Sequence, residues 1–495
     1  MKIKLLFVLL LLPTFIFAQT KIGFDIDGVS YGDKFGNTVA ISDDGSILAV
    51  GAPHNQDNGI QSGHVRVFNN NNGTWVQMGN TLVGENAYDR FGTSVSLSSD
   101  GLTLAVGAPL NDSNGNASGE VRVYTFNNGL WTQKGSDING KYHSYKAGTS
   151  VSLSSDGLIL AVGTDGFASS RGLVSIYKYQ NNSWSKLGSD IIGLSDGDRF
   201  GTVVSLSSNG EIVAIGAYYN STVQPGSGHA AIYQYNSTNN TWNQLGTNLH
   251  GQTPGAYFGR DVSLSNSGHI VAIGASDETG NASNSGVVRT YIYNNNSWEL
   301  MGLPIHGDES WSGFGQQVDL SATGLTLTIG AHGHDGELAD KPSIGQVKIF
   351  RFENDSWNVY GNPIDGEATG DNSGYALALS ADETTLVIGA TENVNENGDK
   401  SGHVRVYDTD IETLGLNNES RSTQFKIYPN PANNQVNIQL QKGLEFKKVN
   451  IYSTLGQLIN TSKEKIINTT HLSPGMYLIE IETNQGNVTK QLIKE

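Results

Sequence analysis

One pattern governs what this chain of 495 residues can fold into: a unit of about 56 residues recurs seven times. Each unit opens on Phe-Gly, at Phe35-Gly36, Phe91-Gly92, Phe200-Gly201, Phe258-Gly259 and Phe314-Gly315. The marker degrades to Ala147-Gly148 and Ser373-Gly374, and successive steps are 56, 56, 53, 58, 56 and 59 residues. A Leu-Ser or Ile-Ser follows, then a tight turn such as Asp100-Gly101, then an apolar run ending in Gly-Ala. Gly51-Ala52 and Gly107-Ala108 are examples of that ending, and Gly163-Thr164 is the exception. A variable polar stretch leads to an alternating strand such as Gly119 to Tyr124. The unit closes on a Trp strand, exemplified by Trp131, Gly135, Ile138 and Gly140. Four short apolar runs per unit, separated by Gly, Asn and Asp, read as four strands. A repeat of that length with four strands reads as a propeller blade.

The Trp strand occurs six times with its tryptophan, at Trp75, Trp131, Trp184, Trp242, Trp298 and Trp357. It is missing after Val404-Arg405-Val406-Tyr407, and its glycine-bounded half stands instead near the N-terminus as Gly23, Ile26 and Gly28. This predicts a ring whose last blade takes three strands from the end of the repeat array and one from its beginning, which removes free sheet edges. The expected fold class is all-β: a seven-bladed β-propeller over residues 19–408, a linker over 409–422, and a small C-terminal β-sandwich over 423–495. In that last segment apolar and polar residues alternate between Gly, Asn and Pro turns.

The two long connections of each unit, second-to-third strand and fourth-to-next-first, emerge on the same end of an antiparallel blade. One propeller face is therefore loops and the other tight turns, and loops on a rigid scaffold are where binding residues concentrate. Positions repeated in every blade do one packing job seven times. The Phe and Trp read as core fillers, and the Gly as sites of positive φ or close blade approach. Site residues are sought among those that break the repeat.

Residues 1–18 read as a secretory signal: Lys2 and Lys4, an apolar run from Leu5 to Phe17, and a cleavage site at Ile16-Phe17-Ala18. The run is too short to span a bilayer, for which about 20 residues are needed, so no transmembrane anchor is expected. The absence of cysteine leaves stability to packing and ring closure rather than disulfides. Net charge is −17, with 19 Lys+Arg against 42 Asp+Glu in residues 19–419 but 9 against 5 in residues 420–495. So acidic a body argues against nucleic acid or an anionic membrane as ligand.

Phe35-Gly36 with Gly51-Ala52-Pro53, and Phe91-Gly92 with Gly107-Ala108-Pro109, resemble the FG-GAP repeats of integrin α-chain propellers, over residues about 20–408. Members of that group often carry an Asp-rich calcium loop between the two motifs. Here the connection is only Ser42-Asp43-Asp44-Gly45 or Ser98-Ser99-Asp100-Gly101, too short and too poor in carboxylates for the 6–8 oxygen ligands of calcium. A second resemblance covers the C-terminus. Tyr428-Pro429-Asn430-Pro431, Val449 to Gly456 (VNIYSTLG) and Leu472 to Ile479 (LSPGMYLI) look like the type A C-terminal sorting domain of type IX secretion cargo. That resemblance implies handling by the type IX machinery through residues 423–495 and export to the outer surface or beyond.

Three kinds of candidate site residue stand out. Repeat-breaking aromatics suited to a ligand are Tyr142 and Tyr145 in one connector, Tyr218 and Tyr219 opening a second-to-third loop, and Trp311, the only tryptophan outside the Trp strand. Oxygen-ligand spacing that a Ca2+ ion could use occurs at Asp112, Asn114 and Asn116 and at Asp277, although Asn, Asp and Gly also serve plain turn geometry. His332, His334 and Asp335, with Glu337 and Asp340 close by, form the most metal-like cluster. His64, His229 and His403 recur at one repeat position and read as structural. The expected function is a secreted or surface-displayed binding propeller that takes an extracellular protein or glycan on its loop face. The alternative is a polysaccharide-active lyase or hydrolase with scattered loop residues, which the fold does not exclude.

Overall fold

The computed structural model describes residues 19–336, 342–395, 397, 400–409, 425–428, 430, 432–440, 446–453, 458–473, 475–483 and 486–494. The stretch read as a signal, nearly all of the linker, and Glu337 and Asp340 lie outside the described residues. The chain divides into two units, Met1–Asp410 and Ile411–Glu495.

Among the described residues the first unit holds seven antiparallel sheets of four or five strands. Blade 1 is representative, with strands Thr38–Ile41, Ile47–Ala52, His64–Asn71 and Thr74–Gln77, the last continued by Leu82–Val83. Its second strand is buried along nearly its whole length because neighbouring blades cover both faces, hence the continuous apolar run rather than alternation. The outermost strand is mostly exposed and correspondingly polar. Blades 2 to 7 begin at Ser94, Ala147, Val203, Phe258, Gln317 and Ser373 respectively.

The ring closes as the missing Trp strand implies. Ser373–Leu379, Thr385–Ala390 and His403–Asp408 form three strands of blade 7, and the N-terminal segment supplies the fourth. Thr20 pairs with Asp408, Lys21 with Tyr407, Ile26 with Val404 and Asp27 with His403.

The motif glycines have a specific job at each blade junction. A Cβ on the Gly of any Gly-Ala would overlap the carbonyl oxygen of the Phe-Gly glycine in the next blade: Gly51 meets Gly92, Gly216 meets Gly259, and Gly389 meets Gly36 across the closure. The Phe beside that glycine is fully buried in blades 1, 2, 4, 5 and 6. On the inner strands, Ser96, Ser152, Ser205 and Ser263 accept a hydrogen bond from the next blade's backbone at 3.0 Å, and Asp319 does so at 2.8 Å.

The tryptophans prove to be more than core fillers. They lie on the outermost strands, and the indole N–H of Trp131, Trp184, Trp242, Trp298 and Trp357 donates to a backbone carbonyl of the preceding blade at 2.8 to 3.0 Å. Trp75, at the closure, has no such partner.

The second unit has two antiparallel sheets. One comprises Phe425–Tyr428, Gln435–Leu440 and Ile466–Asn468; the other comprises Leu458–Ser462, Phe446–Ser453, Gly475–Thr483 and Gly486–Lys494. Val436, Ile438, Val449, Ile451, Ile479 and Ile481 form its core.

Candidate functional site

Each second-to-third loop is hydrogen-bonded to the connector that follows its blade. Tyr88 N–H donates to Ile60 O at 2.7 Å, Ser144 N–H to Asn116 O at 2.8 Å, and Trp311 N–H to Asn284 O at 3.1 Å. These bonds place both long connections of a blade on one face. The third residue before each Phe-Gly position has a left-handed backbone. That residue is Gly32, Gly197, Gly255 and Gly370 in four blades but Tyr88 (φ 70°), Ser144 (φ 60°) and Trp311 (φ 63°) in the others. A side chain in that conformation costs roughly 1 kcal/mol that glycine avoids. Trp311 is nonetheless 69% exposed and Tyr88 55%. Neither aromatic recovers the cost by filling a core.

A second aromatic group sits on blade 4 and the connector to blade 5. Tyr218 and Tyr219 have ring centroids 4.4 Å apart, and Tyr257 stands 5.9 and 5.2 Å from them. The Arg260 guanidinium lies 4.7 Å over the Tyr218 ring and that of Arg199 5.0 Å over Tyr219. Arg199 also donates to the Tyr218 hydroxyl at 3.4 Å and approaches Asp165 at 3.9 Å. Tyr218 is buried by this stack while Tyr219 remains exposed. Burial, with the phenol of Tyr219 next in effect, raises the pKa of Tyr257. Two cations stacked on tyrosine faces make this a cationic, aromatic patch on an otherwise acidic body.

The third group is at blade 3, where both motifs are broken. Tyr142 and Tyr145 meet edge-on at 5.3 Å, and Phe167, from the second-to-third loop, meets Tyr145 at 5.2 Å. Below them a cavity of about 450 Å³ runs between the outer strand of blade 2 and the third strand of blade 3. Its lining includes apolar Ala147, Val162 and Leu173 and polar Asn139, Ser175, Lys186 and Asp190. Ser175 Oγ donates to Asp190 at 2.6 Å, and Lys186 pairs with the same carboxylate at 2.7 Å. Asn139 Oδ1 is buried without a donor.

The residues singled out for metal binding are engaged within their loops. Asp112 Oδ1 accepts the Ala117 N–H at 2.7 Å, Asn114 Nδ2 donates to Gly140 O at 3.1 Å, and the carbonyl of Asn116 accepts Ser144 N–H. Asp277 accepts from Ser276 at 3.3 Å, and burial raises its pKa. His334 Nδ1 contacts the Glu309 carboxylate, which also accepts the Asp335 N–H at 3.0 Å, while Asp335 Oδ1 accepts Ser343 N–H at 2.7 Å. His332 is engaged elsewhere, edge-on to Tyr375 at 5.8 Å. Burial, with Arg260 nearby, pushes its imidazole down to about 4.

Among the described residues one trio of acidic and histidine side chains converges within 4.8 Å, namely Asp25, Glu367 and His403. It includes none of the residues named from the sequence as metal ligands, and its His403 is one of the three histidines read as structural. Its carboxylates already pair with Lys21 at 2.9 Å and Arg405 at 3.3 Å.

The structure places the residues named from the sequence in three separate groups, Tyr142 with Tyr145, Tyr218 with Tyr219, and Trp311 by itself. Sequence reasoning missed Phe167, Ser175, Lys186 and Asp190 around the cavity, and Arg199 and Arg260 around the tyrosine pair. Ser175 had a readable signal, because the same repeat position is Arg66, Arg122, Arg289 and Arg405 in other blades.

No curated protein matches this chain. Similar solved structures include a crystal structure of a candidate 6-phosphogluconolactonase from Bacteroides uniformis. It is 11% identical, with a TM-score of 0.47, over 67% of this chain and 86% of that one. Another is a protein from Lactobacillus plantarum, 14% identical, with a TM-score of 0.45, over 68% and 85% of the two chains. Among family models, the FG-GAP repeat matches residues 26–68 and 83–125, and the secretion system C-terminal sorting domain matches residues 426–495. The chain thus carries FG-GAP repeats and, over residues 426–495, a type IX C-terminal sorting domain, which indicates export to the cell surface or outside.

Proposed function

We propose that the exported protein is a recognition module that binds an extracellular protein or glycan through its loop face, with Trp311, Tyr218, Tyr219, Tyr142 and Tyr145 as contact residues. In this reading residues 1–18 are removed on export, residues 19–408 recognise the ligand, 409–422 tether them, and 423–495 are read by the secretion machinery. The carrying observation is Trp311: a large aromatic, mostly exposed, at a left-handed backbone position that glycine holds in four blades. Packing offers no return for that strain, whereas an exposed, rigidly held indole is the kind of anchor that dominates binding interfaces. FG-GAP repeats and export to the outside support the same reading.

The test is Trp311→Gly, which relieves the backbone and leaves the fold intact or slightly more stable. Immobilised wild type and variant would be compared on arrays of polysaccharides and surface proteins. Loss of an anchor worth about 1.4 kcal/mol or more weakens the captured ligand at least tenfold. Equal binding by both proteins would remove the support for this reading.

A further inference from the structure

We propose that the groove between blades 2 and 3 is a saccharide-binding subsite, opened by the simultaneous loss from blade 3 of two side chains that fill the same space elsewhere in the ring. The proposal rests on the loop-face reading above and assigns it a place and a ligand class.

In an ordinary blade the space beneath the third strand is filled by the motif Phe and by an Arg two residues into that strand. Arg66 lies 4.8 Å over both Phe35 and Phe68 in blade 1, and Arg289 lies 5.9 Å over Phe258 in blade 5. Blade 7 has lost the Phe, to Ser373, but keeps Arg405, which reaches Ser373 Oγ at 3.4 Å and Glu367 at 3.3 Å. Blade 4 has lost the Arg, to Ala231, but keeps Phe200, packed on His229 at 6.2 Å. Blade 3 lacks both, with Ala147 and Ser175 in their places, and there the cavity of about 450 Å³ appears. Its second-to-third loop, residues 165–172, is also shorter than its counterpart in blade 2, residues 109–119.

The walls set the ligand class. A volume of this size falls in the range of small-molecule sites. The mouth is aromatic, with Tyr142 and Tyr145 at its edge and Phe167 beside them. The lining also includes Ser175, Lys186 and Asp190 in one hydrogen-bonded chain on blade 3, and Asn139 on blade 2, whose Oδ1 has no donor within the protein. An apolar guest would strip water from that chain without replacing its hydrogen bonds. A small ion would leave the aromatic mouth without a partner. A pyranose, with an apolar C–H face and a rim of hydroxyls, satisfies both kinds of lining. Lys141, which lies 5.1 Å over the Tyr142 ring at the entrance, adds a cation for an acidic sugar.

The experiment is calorimetric titration of the full secreted chain with cellobiose and with digalacturonic acid. Two variants, Ala147→Phe and Ser175→Arg, restore the side chains of the other blades and close the groove. The expected result is saturable binding of at least one disaccharide to wild type and at least tenfold weaker binding to each variant, with their melting temperatures unchanged or raised. Undiminished binding by both restored variants would overturn the proposal, as would the lack of binding of either disaccharide to wild type. If Trp311→Gly loses a captured surface ligand while Ala147→Phe retains it, the loop-face reading stands and the groove assignment falls.

Discussion

Replacing His229 with leucine should stabilise this protein in acid by an amount that follows from the burial of the imidazole. His229 is 1% exposed on the third strand of blade 4, and neither ring nitrogen has a hydrogen-bond partner. Phe200 and His250 stand 6.2 and 5.7 Å away. Burial, reinforced by His250, pushes the pKa down to about 4. In the unfolded chain the ring titrates near 6.5. Below that pH the unfolded state takes up a proton that the folded state refuses, so stability falls as pH drops from about 6.5 towards 4. Between pH 7 and pH 5 the loss is about 1.8 kcal/mol for this one residue. Leucine carries no such linkage, and the equivalent residues of blades 3 and 5 are Leu173 and Val287, so the site accepts an aliphatic side chain. The assay is urea unfolding followed by tryptophan fluorescence. All seven tryptophans lie between residues 75 and 357, so the signal reports the repeat unit alone. His229→Leu should match or exceed wild type at pH 7, and its advantage should grow by about 1.8 kcal/mol at pH 5. Other titrating groups are common to both proteins and cancel in the difference. A gap between the two curves that does not change with pH would refute the reasoning.

Other consequences can be checked in the same way. Gly389→Ala places a methyl against the Gly36 carbonyl across the ring closure and should cost about 3 kcal/mol, as should Gly216→Ala at an internal junction; an open array would tolerate the first and not the second. Asp261 is buried, and burial raises its pKa to about 7 although it accepts N–H bonds from Val262 and Val318 at 3.0 and 2.8 Å. Its contribution is therefore complete below pH ~4 and lost as pH rises through 7, and Asp261→Asn should flatten the pH profile of stability across that window. Trp184→Phe removes the bond to Lys134 O and should cost about 1 kcal/mol more than Trp75→Phe, since Trp75 makes no such bond. Equal losses in those two variants would mean that the indole bond contributes nothing.

How much could be read from the sequence depends on whether a position's meaning is carried by one column of the repeat or by several. Blade number, strand order and ring closure each repeat along the chain, and the absent Trp strand after Tyr407 was as informative as the six that are present. A column of glycines shows that a position must be small. It does not show that Gly51 faces Gly92 of the next blade, because that pairing joins two columns in space. The same limit explains the candidate site. Trp311 stands out as an unmatched tryptophan, but its left-handed backbone and its hydrogen bond to Asn284 are announced by no local pattern. Spacing counted possible ligands at Asp112, Asn114 and Asn116, yet could not show that Asp112 Oδ1 accepts the Ala117 N–H or that the Asn114 amide donates to Gly140 O.

The groove carries the argument furthest. Ala147 was visible as a degraded motif, and Ser175 could have been read as a missing arginine, but each loss alone is tolerated: blade 7 lacks the Phe and blade 4 the Arg, and in both the remaining large side chain keeps its place. Where the two losses coincide, a cavity of about 450 Å³ is found. In a repeat protein, then, the search for a site should weigh residues that have vanished from their columns as heavily as those that intrude. It should also ask which vanished residues once shared a single volume.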